Sequence, residues 1–178
     1  MTRSASAAVA FGLCLAAGTA FADSLSIPIN RVNPAGAGAP VGVIVASDGP
    51  GGLVLVPRLL GLPPGPHGFH LHEFPSCAAR EVDGKTIPAH TAGGHYDPDR
   101  TGAHQGPHGS GHRGDLPALI VAEDGTAGAP LLAPHLTLAD LPGHSLMIHV
   151  GGDNYGDQPL PLGGGGARLA CGVIPAAK

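Results

Sequence analysis

The chain alternates short apolar stretches with clusters of Gly, Pro, Asn and Asp, and no window keeps the period of an amphipathic helix. Past the N-terminal residues the apolar stretches are Leu25–Val32, Val41–Ala46, Gly52–Val56, Gly68–Phe74, Ala118–Ala122, Leu131–Leu136, Leu146–Val150 and Ala167–Ile174. Most are short and aliphatic or alternating, as strands are. Asp48-Gly-Pro-Gly-Gly and Glu123-Asp-Gly-Thr read as hairpin connections. Eight strands without helices predict an all-β fold, an antiparallel sandwich or barrel. Two long Gly-rich, polar excursions, Pro75–Pro117 and Gly151–Ala167, interrupt them and carry the candidate chemistry. A rigid sheet presenting functional loops is the expected division of labour.

Composition sharpens this picture in three ways. The 30 Gly and 19 Pro suit low-complexity sequence, but only 12% of residues are charged and aliphatic runs recur, so an ordered, turn-rich domain is expected. Met1 to Ala22 has a positive start at Arg3, an apolar run Ala7 to Ala17 and a small-x-small Ala20-Phe-Ala22, the pattern of a secretory leader cleaved before Asp23. Its apolar core is short for a membrane anchor. Two regions follow, a signal peptide over 1–22 and one domain over 23–178, exported to a periplasm or beyond. Without the leader's one Arg, the formal charge of −4 becomes −5, and no basic face invites nucleic acid. Cys14 leaves with the leader. Cys77 and Cys171 remain in an oxidising compartment, where two cysteines usually form one disulfide.

Histidine supplies the chemistry. Phe69-His70-Leu71-His72 alternates with period two, which turns both imidazoles to one face of a strand. His149 stands between apolar neighbours on another strand. The run from His95 to Asp115 holds four imidazoles and several carboxylates among glycines and prolines that forbid a regular helix. Imidazole and carboxylate together are the donors of a borderline metal such as zinc. His95, His104, His112 and Asp115 are able to close a tetrahedral site, although spacing alone does not choose among the histidines and a loose histidine-rich metal scavenger has the same composition.

Longer motifs decide between these. Gly68-Phe-His-Leu-His-Glu73, Gly93-Gly-His-Tyr-Asp-Pro98, Gly111-His-Arg-Gly-Asp-Leu-Pro117, Ile148-His-Val-Gly-Gly-Asp-Asn154 and Gly163-Gly-Gly-Gly-Ala-Arg-Leu-Ala-Cys-Gly-Val-Ile174 are long, ordered motifs rich in metal-ligand residue types. In these motifs the chain resembles the periplasmic copper,zinc superoxide dismutases of bacteria. The resemblance implies an eight-stranded antiparallel Greek-key flattened β-barrel, an immunoglobulin-like sandwich with two long functional loops. It implies copper on His70, His72, His95 and His149, and zinc on His95, His104, His112 and Asp115, with His95 as an imidazolate bridge. It further implies Asp153 as the carboxylate linking His70 to His104, Cys77–Cys171 as the intrachain disulfide, and Arg168 as the active-site arginine.

The expected reaction is disproportionation of superoxide to dioxygen and hydrogen peroxide, with copper as the redox ion and His95 giving up copper to carry a proton. Arg168 and His95 are the expected catalytic residues. Arg80 and Lys85 are candidate steering charges, offset by Glu81 and Asp83. His108 has no matched role, and His67, His90, His135 and His144 read as surface or turn residues. The expected partner is the superoxide anion, with no nucleic acid, no membrane after cleavage, and a homodimer left open. The competing readings are an exported copper- or zinc-binding protein on the same barrel without catalysis, and a secreted β-sandwich interaction module with incidental histidines.

Overall fold

The computed structural model describes residues 23–176, so the leader lies outside the described residues. Eleven strands lie within them. They are β1 (Ser24–Asn33), β2 (Gly36–Gly49), β3 (Gly52–Leu59), β4 (Gly65–His67), β5 (Phe69–His72), β6 (Arg80–Val82), β7 (Lys85–Ile87), β8 (Leu119–Val121), β9 (Leu131–Ala133), β10 (His144–His149) and β11 (Arg168–Ile174). Seven form one antiparallel sheet in the order β5-β10-β11-β1-β2-β3-β9, while β4 pairs with β8 and β6 with β7. The fold is all-β, as expected, and every apolar stretch of the sequence lies on or overlaps a strand.

Strict alternation builds the core. Ile27 and Ile29, Ile44 and Ala46, Leu53 and Leu55, Phe69 and Leu71, and Leu146 and Ile148 all point inward and are almost completely buried. Each large aliphatic side chain removed from water stabilises the fold by roughly 1.5–3 kcal/mol. Gly172 lets β11 approach β1, since a Cβ there would meet the Ile29 side chain and come within 2.7 Å of the Pro28 carbonyl.

Three strands escaped the sequence reading. Pro63, Pro64 and Pro66 mask β4, which runs only three residues. The β6–β7 hairpin lies inside the first excursion and turns on Asp83 and Gly84, both at positive φ (50° and 73°), as a tight two-residue hairpin requires. Its strands are mostly exposed and partly charged, so no apolar alternation announces them.

The sheet has a consequence for the excursions. β5 stands at the sheet's edge, yet its free edge is covered by the first excursion. Tyr96 N donates to Leu71 O (2.8 Å), Leu71 N to Gly114 O (2.9 Å), Glu73 N to Gly94 O (3.0 Å) and Leu116 N to Phe69 O (3.3 Å). Ladder contacts therefore lay the segments around His95 and Asp115 directly beside the strand that carries His70 and His72.

Candidate metal centre

Four imidazoles converge from three elements: His70 and His72 from β5, His149 from β10, and His95 from the excursion along the β5 edge. A second group, His95, His104, His112 and Asp115, lies beside them, and in each group one ligand atom per residue falls within 4.8 Å of the others. His95 belongs to both.

Hydrogen bonds determine which ring nitrogen faces each focus. His72 Nδ1 donates to Gly93 O (3.0 Å) and His149 Nδ1 to Gly166 O (3.0 Å), which leaves both Nε2 atoms facing inward, 3.4 Å apart. His70 Nε2 is bound to Asp153 Oδ2 at 2.7 Å, leaving Nδ1 buried with no protein partner. In the second group the Nδ1 atoms of His95 and His104 each lie 2.9 Å from Asp115 Oδ1, and that of His112 lies 3.3 Å away. The His104 approach has no hydrogen-bond geometry, so its buried Nδ1 is unpartnered although it sits beside a carboxylate. An unsatisfied buried nitrogen costs about 1–3 kcal/mol. A cation at each focus removes that cost, so the residues present fit two metal ions.

Asp153 ties the groups together. Its Oδ2 accepts from His70 Nε2, and its Oδ1 accepts from His104 Nε2 at 2.8 Å and from Tyr155 N at 2.8 Å. Gly163, at φ +74°, makes room, since a Cβ there would collide with the Asp153 carboxylate. A carboxylate on the outer nitrogen of a metal-binding histidine holds its tautomer and ring orientation.

The electrostatics favour metal. Burial pushes His70 down to about 3 and His149 down to about 4, and lowers His72 and His95 as well, the neighbouring imidazoles adding to the effect at all four. These rings are neutral donors near pH 7. Burial opposes protonation of His104 too, but the two carboxylates beside it, Asp115 and Asp153, outweigh burial and raise that ring to about 9. Burial would raise both carboxyls, yet the imidazoles facing them, His104 and His95 at Asp115 and His104 and His70 at Asp153, hold them well below the usual carboxylate range. Two ionised carboxylates thus face one imidazolium at the second focus, which leaves it net negative.

Arg168, at the start of β11, donates from Nη1 to Ala89 O and from Nη2 to Gly93 O (2.6 Å). The Gly93 carbonyl therefore accepts from both Arg168 and His72. Cys77 and Cys171 are joined by a disulfide with Cα atoms 5.9 Å apart, which ties the segment bearing those carbonyls to β11.

Comparison with known proteins decides the family. Residues 41–174 match the family model for copper/zinc superoxide dismutase. The superoxide dismutase [Cu-Zn] of Brucella abortus biovar 1 (strain 9-941) is 53% identical over 167 residues, covering 93% of this chain and 96% of the relative. The chain belongs to the copper/zinc superoxide dismutase family. Among solved members, the Brucella abortus Cu/Zn enzyme superposes with a TM-score of 0.84 at 54% identity, over 85% of this chain and 99% of that one. The monomeric copper, zinc superoxide dismutase from Salmonella enterica gives 0.77 at 51% identity, over 85% and 99%.

The remaining histidines divide. His108 and His135 are exposed, and His108 joins neither group among the described residues. His90 begins a short 3-10 turn. His144 is on β10, half-buried, bonded to Glu73 O and packed on Tyr96 with ring centroids 4.4 Å apart. His67 overturns its reading as a surface residue. It is 2% exposed, on β4, and its ring spans His149 O (2.7 Å) and Pro63 O (2.8 Å), pinning the main chain of a metal-facing histidine. Nothing local to Pro66-His67-Gly68 announces this, because one of its partners lies 82 residues away.

Proposed function

We propose that the first group holds copper through His70 Nδ1 and the Nε2 atoms of His72, His95 and His149, and the second holds zinc through the Nδ1 atoms of His95, His104 and His112 with Asp115. The enzyme is a copper,zinc superoxide dismutase, converting two superoxide anions and two protons to dioxygen and hydrogen peroxide. The observation that supports the site assignment is the membership of His95 in both groups, with its Nδ1 turned to Asp115. Bound copper supplies one-electron cycling, and zinc, which has no redox chemistry, supplies fixed positive charge.

The chain's own residues do the rest. Arg168 attracts the anion and fixes it, its guanidinium held by the Ala89 and Gly93 carbonyls beside His72. His95 Nε2 takes up a proton when it is free of metal and delivers it to the departing peroxide. Meanwhile Asp115 and the β5 edge keep the ring in place. Asp153 accepts from the outer nitrogens of His70 and His104, which holds both rings with their inner nitrogens turned to the metal foci. Arg80 and Lys85 on the β6–β7 hairpin are the candidate steering charges, formally offset by Glu81 and Asp83.

Anomalous scattering at the copper and zinc edges is expected to place two different ions sharing His95. Two ions with no common ring would overturn the assignment, and absence of cyanide-sensitive dismutase staining in the copper-loaded protein would favour a metal store without catalysis. Replacing Arg168 with Gln should slow the reaction and flatten its salt dependence, and an unchanged rate at low ionic strength would remove Arg168 from the mechanism. The mature protein is a periplasmic domain starting at Asp23, checked by the mass of the exported form. Sedimentation distinguishes a homodimer from the monomer named for the Salmonella enterica relative.

A further inference from the structure

His104 is held at both ends by the same excursion. Its ring Nε2 donates to Asp153 Oδ1, and its main-chain N–H donates to Asp157 Oδ2 at 2.9 Å, four residues further along. The other oxygen of Asp157 accepts from Leu162 N at 3.0 Å. Leu162 is at φ +54° in the turn that leads to Gly163, the residue that leaves room for Asp153. The next amide, Gln105 N, donates to Asp115 Oδ2 at 3.0 Å. Two consecutive N–H groups of a glycine-rich loop are therefore gripped by two carboxylates from different parts of the chain.

We propose that Asp157 is a positioning residue that latches the Gly151–Ala167 excursion onto the backbone of His104 and thereby sets how tightly zinc is retained. This rests on the reading of His104 as a zinc ligand. Asp153 alone fixes one edge of the imidazole. A ring fixed at one edge still pivots if its own Cα is free, and the pivot carries Nδ1 off the metal focus. Asp157 removes that freedom by holding the main chain, and its second bond to Leu162 N transmits the grip to the turn that seats Asp153. Neither bond touches a copper-facing histidine, so the latch acts directly on His104 and reaches His70 only through Asp153. Ligand geometry held by an outer partner is worth about 10–100-fold in metal affinity.

The test uses the full mature protein loaded with copper and zinc. Release of zinc into excess chelator is timed for the parent, Asp157→Ala, Asp157→Asn and Asn154→Ala. The visible spectrum is recorded with cobalt in place of zinc. Asn154 Nδ2 bonds Gln158 O within the same excursion and does not reach His104, so its variant loosens the loop without opening the latch. Asp157→Ala should release zinc about 10–100-fold faster and shift the cobalt bands. Asp157→Asn, which keeps one acceptor for two donors, should fall between it and the parent, and Asn154→Ala should match the parent. Parent-like release from Asp157→Ala would overturn the latch, as would equal acceleration in Asn154→Ala. A His104→Ala protein that keeps zinc as the parent does would overturn the ligand assignment beneath it, and this inference with it.

Discussion

Replacing both Cys77 and Cys171 with Ser should cost the metal-free protein about 4–5 kcal/mol. The bridge spans 94 residues, and the chain-entropy relation for a loop of that length gives about 4.7 kcal/mol at 25 °C. The folded state offers little to offset this, because the segment around Cys77 keeps its other ties. Phe74 N still donates to Ala92 O, Ser145 Oγ to Phe74 O and Thr91 N to Ala78 O. The loss therefore arises mainly from the freedom the unfolded chain regains. With a urea slope of about 2 kcal/mol/M the midpoint should fall by roughly 2 M. Urea unfolding of oxidised and Ser/Ser proteins, followed by circular dichroism, measures it. A midpoint shift equivalent to less than about 1 kcal/mol would refute the entropic account.

Other expectations are narrower. Exchanging His67 for Phe removes the ring's contacts with the His149 and Pro63 carbonyls and should lower stability by about 1–3 kcal/mol in urea unfolding, with no change expected for His108→Ala. Asp153→Ala strips the acceptor from two buried imidazoles and should weaken zinc binding about 10–100-fold by competitive titration, with parent-like affinity counting against its role. The metal-free protein should be most stable near pH 6–7. Below about 6.5 the unfolded chain takes up protons that His70 and His149 refuse until about 3 and 4, so stability falls with pH. His104, raised to about 9, contributes fully below 6.5 and loses that contribution as pH rises through 9. Thermal melts from pH 4 to 9 that were flat on the acid side would contradict this.

The fold and the site were legible in the sequence to different depths. Period-two alternation in Phe69-His70-Leu71-His72 sorts two core residues from two ligand candidates, because on a strand next neighbours face opposite ways. The β6–β7 hairpin has no buried face to alternate with, and β4 is hidden by prolines, so neither leaves a periodic trace. The two histidine-rich groups that the structure brings together were named by long motifs, but the ring nitrogen each residue turns inward was not. It is made by the carbonyls of Gly93 and Gly166 and the carboxylate of Asp153, which become neighbours of His72, His149 and His70 only after folding. The same holds for His67, whose partners are main-chain oxygens that any residue supplies.

The carbonyl of Gly93 has a genetic corollary. No other residue type fits easily there, at φ +78° and with a Cβ that would press on Glu73 and the Phe74 ring. Because that oxygen accepts from both His72 and Arg168, an allele that displaced it would, on the roles proposed for those two residues, harm electron transfer and substrate capture together. Such a lesion would look like a double mutant in steady-state kinetics, and compensating changes elsewhere would have to repair two defects at once.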